Sequence, residues 1–244
     1  MSASLNAVLF DLDGTLLGND LSVFMPRYFE RLSAAVGHLV PRREFVRHLL
    51  AATQVMLNND GRAANEEVFA EAFYPRLGRA RAEMEPLLLD FYRRAYPLLR
   101  AYTERRPEAR VAVQAAFDLG YDVVIATNPL FPEVATRERL AWAGVADFPY
   151  RLVTTYENSR ACKPNLRYYR DICTTIDREP AACLMVGNEP TEDIVAGALG
   201  CETFLVVEGD RPAPAASAPE PTYAGKLADV PAVLAAGRNG TSAH

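Results

Sequence analysis

Lysine is almost missing from this chain. Of its 26 basic residues only Lys163 and Lys226 are lysine, and all the others are arginine, so any site that keeps a lysine invites a chemical reason. Histidine is also scarce, at positions 38, 48 and 244, and the four cysteines, Cys162, Cys173, Cys183 and Cys201, show no CxxC spacing. A zinc centre or a disulfide framework is therefore not expected, and the cysteines read as core residues. No uninterrupted apolar run reaches the roughly 18 to 20 residues of a membrane span, and MSASLNAV offers no basic region followed by an apolar one. These absences predict a soluble, cytoplasmic protein with no membrane partner. A net charge of −5 and a pI near 5.4 argue against a broad basic surface for nucleic acid, but leave a small anionic ligand open.

What is present suits a folded enzyme-sized unit. Half of the 244 residues are hydrophobic, enough for one large domain, or for a core with an insert. No internal repeat is visible, and nothing sets the oligomeric state. Residues 5 to 10 form a short apolar run that ends in acids, as a buried parallel strand would. From about 20 to 105 apolar residues recur at spacings of three and four, which predicts four or more amphipathic helices with no clear strand among them. Asn65, followed by Glu66 and Glu67, has the signature of a helix N-cap.

After Arg106-Pro107 the pattern alternates. Helices are expected at 111–119, 132–143, 166–176 and 191–199, and strands at 121–127, 151–155, 182–186 and 203–207. Such alternation predicts an α/β fold, a doubly wound, Rossmann-like parallel sheet with helices on both faces. The first strand belongs with this half. The organisation expected is an α/β core of 1–17 and 107–244 with an all-helical cap domain, 18–106, inserted into it. Arg211 to Pro221 reads as a Pro/Ala-rich connector, followed by a short strand near Tyr223 and a helix from about Val230, with a frayed tail from Arg238.

Ligands of open parallel sheets bind at the carboxyl ends of the strands. The residues at those ends are Asp11-Leu12-Asp13-Gly14-Thr15, Thr127-Asn128, Lys163-Pro164 and Gly187 to Asp193. Two residues apart on an extended chain, Asp11 and Asp13 point to the same side. Their mutual repulsion calls for a cation, and a hard divalent ion such as Mg²⁺ fits, with Asp193 as a further ligand. A threonine hydroxyl beside backbone N–H groups holds phosphate oxygens, and Lys163 supplies a compact positive charge to a transferring phosphoryl group.

In this order the four stretches DLDGT, IATNP, CKPN and VGNEPTED resemble the four motifs of the haloacid dehalogenase superfamily of aspartate-nucleophile phosphatases. The helical block is similar to the cap that many members carry between the first two motifs. The resemblance implies hydrolysis of the phosphate monoester of a small metabolite through an aspartyl phosphate. Asp11 would be the nucleophile and Asp13 the acid and base. Thr127 and Lys163 would hold the phosphoryl oxygens, with Gly14 and Asn128 lining the phosphate. Mg²⁺ would take the Asp11 carboxylate, the Asp13 main-chain carbonyl, Asp193 and Asn188. Asn188 departs from the family pattern, which commonly has aspartate there, and this weakens the expected charge around the ion.

Several alternatives share these residues. A dehalogenase has no need of an acid at position 13. A phosphomutase would keep all four motifs, and a catalytically weak binding or scaffold protein would keep the fold alone. A phosphate-accepting receiver domain is about half this length. The candidates for substrate selection are Leu17 to Asp20, Thr53 to Asn59 and Pro129 to Pro132. The aromatic residues Phe24, Tyr28, Phe45, Phe69, Phe73, Phe91 and Tyr92 read as the packed interior of the helical block rather than as a substrate cage. Arginines outnumber acids between 20 and 110, a bias that suits either an anionic substrate or a solvated surface. Arg76, Arg79 and Arg81 read as outer helix faces.

Overall fold

The structure, a computed structural model, describes residues 4–207 and 219–239. Most of the expected connector, 211–218, and the tail beyond 239 lie outside the described residues, as does the start of the chain. Six parallel strands form one sheet in the order β5-β4-β1-β6-β7-β8. They are β1 (Ala7–Phe10), β4 (Asp122–Ile125), β5 (Leu152–Val153), β6 (Cys183–Gly187), β7 (Glu202–Val206) and β8 (Tyr223–Gly225). All four residues of β1 are buried, because parallel strands carry helices on both faces. Val8 and Phe10 pack into one apolar cluster and Ala7 and Leu9 into the other, as the period of two requires.

The crossover helices are α5 (Pro107–Asp118), α6 (Glu133–Ala143) and α7 (Leu166–Ile176), with α8 (Val230–Asn239) near the end. Pro107 occupies the first turn of α5, where a missing N–H costs nothing. The helix expected at 191–199 is instead a 3₁₀ turn over Ile194–Leu199. Pro190 precedes it, β-branched Ile194 and Val195 open it, Gly197 lies within it and Gly200 caps it, a composition poor in helix propensity.

Between β1 and α5 lie α1 (Leu21–Ala35), α2 (Arg42–Leu57), α3 (Asn65–Leu77) and α4 (Arg81–Arg94), then a 3₁₀ turn over Tyr96–Tyr102. The expectation of a strand-free block needs correction at its root. There β2 (Leu17–Asn19) and β3 (Thr103–Arg105) pair antiparallel, tying together the chain entering and leaving the block. Three residues each are too few to show a period. Nor is Asn65 the N-cap of α3. Ala64 takes that position without a side-chain cap bond, and Asn65 reaches across to the core. Its backbone N–H donates to Ser159 O at 2.8 Å, and its Nδ2 to Ala161 O at 3.3 Å. Among the described residues no helix is long and apolar enough to cross a membrane.

Candidate active site

The order of strands creates the site. β1 lies at the centre with β4 on one side and β6 on the other, and Phe10 is in register with both Ile125 and Val186. Crossovers leave β1 in opposite directions, so a crevice opens at its carboxyl end. Asp11, Thr127 and Asn188 therefore arrive at one edge. Asp11 continues the ladder, its N–H donating to Val186 O at 2.9 Å.

Lys163 is the hub of this edge. Its Nζ lies 2.8 Å from Asp11 Oδ1 and 2.5 Å from Asp193 Oδ1, with the lysine side chain 1 % exposed. Burial works against the ammonium charge, yet the two carboxylates outweigh it and hold its pKa well above the usual lysine value. Burial pushes the Asp193 carboxyl up, to about 7, against the pull of Lys163 and with the help of the Asp11 charge. Asp193 Oδ2 also accepts the Glu189 N–H at 2.9 Å. That loop closes so tightly over Gly187 that a Cβ there would stand 2.2 Å from Asp193 Oδ2.

Thr15 joins the first and fourth strand ends. Its Oγ1 lies 3.0 Å from both Asp11 Oδ2 and Asn188 Oδ1, and its single proton serves the two. Gly14 turns the chain above them with φ +87°, where a Cβ would meet Asn188 Nδ2 at 2.6 Å. Both the left-handed backbone and the close approach require glycine. Asn128 braces the second strand end to the other loops: its Oδ1 accepts the Lys163 N–H at 3.2 Å, and its Nδ2 donates to Glu192 Oε2 at 3.2 Å.

Asp13 is held by residues that sequence reasoning missed. Asn19 Nδ2 donates to its Oδ1 at 2.8 Å, and Arg139 NH1 pairs with its Oδ2. Arg139 projects from α6 with its guanidinium over the Phe131 ring at 4.5 Å, and its side chain is 2 % exposed. Burial opposes its charge, but Asp13, Tyr96 and Asp11 more than restore it, raising its pKa above the usual arginine value. A signal existed. Ala135, Thr136, Leu140 and Ala143 mark the buried face of α6, and Arg139 falls on that face, where an arginine needs a partner.

A cavity of about 1050 Å³ opens above the strand ends, lined by Asp11, Asp13, Thr127, Asn128 and Asp193 on the core side. Tyr28, Phe45, Phe69, Phe73 and Tyr92 line it from the helical block. The expected packing role holds: Phe24, Tyr28, Phe45, Phe73 and Phe91 are buried in the main apolar cluster, while the half-buried Phe69 and Tyr92 pack against it and also line the cavity. Of the segments expected to select substrate, Leu130 to Pro132 and Thr53 reach the cavity wall, whereas Leu17 to Asn19 form β2. Arg81 is not simply an outer-face residue: it pairs with Glu66, Glu67 and Glu85, joining α3 to α4.

The donors at the strand ends suit a hard cation. Asp11 and Asp193 offer two carboxylates, and Asn188 Oδ1 adds a third oxygen tied through Thr15 to Asp11. Mg²⁺ commonly takes one or two protein carboxylates and completes its shell with water and phosphate. Among the described residues no group of three or more His, Cys, Asp or Glu is placed to hold a metal by itself.

Comparison with known proteins bears on the fold and the family. A family model described as haloacid dehalogenase-like hydrolase matches residues 5–200. Among solved structures, a HAD phosphatase from Thermococcus onnurineus is 21% identical with a TM-score of 0.59, over 94% of this chain and 98% of that one. A 2-haloacid dehalogenase from Pseudomonas syringae is 18% identical with a TM-score of 0.63, over 95% and 99%. The putative HAD-hydrolase YfnB from Bacillus subtilis, bound to magnesium, is 19% identical with a TM-score of 0.57, over 95% and 99%. No curated protein sequence matches. At such identities the solved structures establish the shared fold, while the family model spans all four strand ends that carry the site. The chain belongs to the haloacid dehalogenase-like hydrolases.

Proposed function

We propose that this hydrolase cleaves phosphate monoesters with Mg²⁺ through an aspartyl phosphate on Asp11. The observation that carries this reading is Asp13, an acid facing the same cavity as Asp11 and fixed in direction by Asn19 and Arg139. Asp11 attacks phosphorus, the bond to the alcohol oxygen breaks, and Asp13 delivers a proton to that oxygen. Asp13 then takes a proton from water as it attacks the acyl phosphate, releasing phosphate and restoring Asp11. Lys163 and Thr127 stabilise the phosphoryl oxygens, and the work is mostly positioning and charge. Mg²⁺, held by Asp11, Asp193, Asn188 and the Asp13 carbonyl, would neutralise charge on the phosphoryl group.

Dehalogenation is the rival within the family, as in the Pseudomonas syringae neighbour. Against it stands the use of Arg139, the one basic residue lining the cavity among the described residues, to hold Asp13 rather than to receive a substrate carboxylate. A cytoplasmic setting belongs to the same reading, supported by four thiols that are all free. The test is release of p-nitrophenol from its phosphate. Turnover is expected with Mg²⁺, lost with EDTA and lost in Asp11→Asn. Turnover that survives Asp11→Asn would overturn the mechanism. Halide release from 2-chloropropionate without phosphatase activity would favour the rival, and isomerisation of a sugar phosphate would favour a mutase. Phosphate binding with no turnover of any kind would leave a binding protein.

A further inference from the structure

The cavity is much larger than the reacting group needs. Its volume of about 1050 Å³ is that of a site for a whole small molecule, at the upper end of the roughly 300–1,000 Å³ usual for such clefts, and far exceeds a phosphoryl group. Away from the strand ends its wall is mainly apolar, with the half-buried Phe29, Phe69 and Phe131 facing the space. At its rim three leucines stand out in solvent: Leu21 at 52 %, Leu50 at 50 % and Leu89 at 40 % exposure. Large apolar side chains clustered at the edge of a concave apolar surface mark a place that a ligand covers.

The charges of the wall narrow the ligand further. Among the described residues none of the arginines of the helical block lines the cavity, so their surplus gives no seat for a second anion. The acids of the wall are themselves engaged. Glu66 and Glu85 pair with Arg81, and Glu157 accepts the Glu133 N–H at the start of α6, at 2.8 and 3.0 Å. The hydroxyls of Tyr28 and Tyr92 bond each other at 2.7 Å. A second negative charge on the substrate would face these carboxylates with Arg81 already shared among Glu66, Glu67 and Glu85, and a hydroxylated chain would exchange water for a mainly apolar wall.

Resting on the phosphatase reading, we infer that the alcohol portion of the substrate is bulky, apolar and uncharged, and that the helical block selects it by excluding polar and doubly anionic esters. The comparison uses 2-phenylethyl phosphate, glycerol 3-phosphate and 3-phosphoglycerate. All three are esters of primary alcohols, so differences report recognition more than leaving-group reactivity. The aromatic ester is expected to exceed either of the others by at least about tenfold in kcat/KM. Leu89→Asp, on the rim at a position exposed enough for the fold to accept it, and Phe69→Asp, on the wall, should each bring that ratio towards one. Leu98→Asp, 57 % exposed and outside the cavity, should leave it unchanged.

Equal rates for the three esters, or a preference for either polar one, would overturn the inference and leave the phosphatase standing. If no ester is hydrolysed the phosphatase reading falls, and calorimetry then decides the cavity alone. Saturable binding of 2-phenylethanol, lost in Leu89→Asp, retains the apolar site; no binding removes it.

Discussion

Asp13 owes its direction to a side chain 126 residues away. Arg139 is buried, so removing it leaves a carboxylate facing an apolar hole. Arg139→Ala should cost about 3 kcal/mol, the lower end for a broken buried pair because the Asp13 side chain keeps 15 % exposure. Turnover should fall roughly 100-fold through misplacement of the proton-transferring group. Urea unfolding and kcat measured on the same variant separate the two effects, and a lost stability with unchanged kcat would make Arg139 structural only. At this scale the sequence was most readable where residues act through the turn they belong to. Asp11, Asp13, Gly14 and Thr15 share one turn, and their spacing announces a site. Arg139 and Asn19 reach Asp13 through folded space, and only the apolar face of α6 hinted at the first.

Elements were legible where their period is strong. α7 occupies Leu166–Ile176, the span that the spacing of its apolar residues predicts. β2 and β3 escaped because three residues cannot show alternation, and Asn65 was misread because a helix start resembles a docking contact in sequence. Asn65 fastens the start of α3 to the loop that precedes Lys163. Besides the core carbonyls, its Nδ2 reaches Cys162 Sγ at 3.3 Å, and its Oδ1 accepts Asn59 Nδ2 at 2.8 Å. Asn65→Ala should therefore lower stability by about 1–3 kcal/mol by orphaning buried partners. It should also raise KM more than it lowers kcat, because the wall formed by α3 loosens while the strand ends stay in place. Steady-state kinetics check this, and a pure loss of kcat would place the effect in the chemistry instead.

For the molecule as a whole, the alternation of strands and helices foretold the sheet, but the enclosed space depends on how the helical block lies over it, which no local pattern records. Cys162 reports on that arrangement. Burial pushes its thiol up to about 12, and its Sγ lies 3.7 Å from Met56 O of the helical block. At pH 8 it stays a protonated thiol and a poor nucleophile. Native protein should show no fast reaction of any of its four buried thiols with DTNB, and denatured protein should show all four. A thiol that titrates within seconds would reveal a block that lifts readily from the core. The scarcity of lysine also finds its meaning here. Lys163 Nζ lies 2.8 Å from Asp11 and 2.5 Å from Asp193, a gap that suits one small tetrahedral donor head, and a flat guanidinium fork would thrust the Asp11 oxygen aside. A chain that writes nearly all its cations as arginine is thus obliged to change its spelling at position 163, and its composition carries the imprint of a steric limit a few ångströms wide.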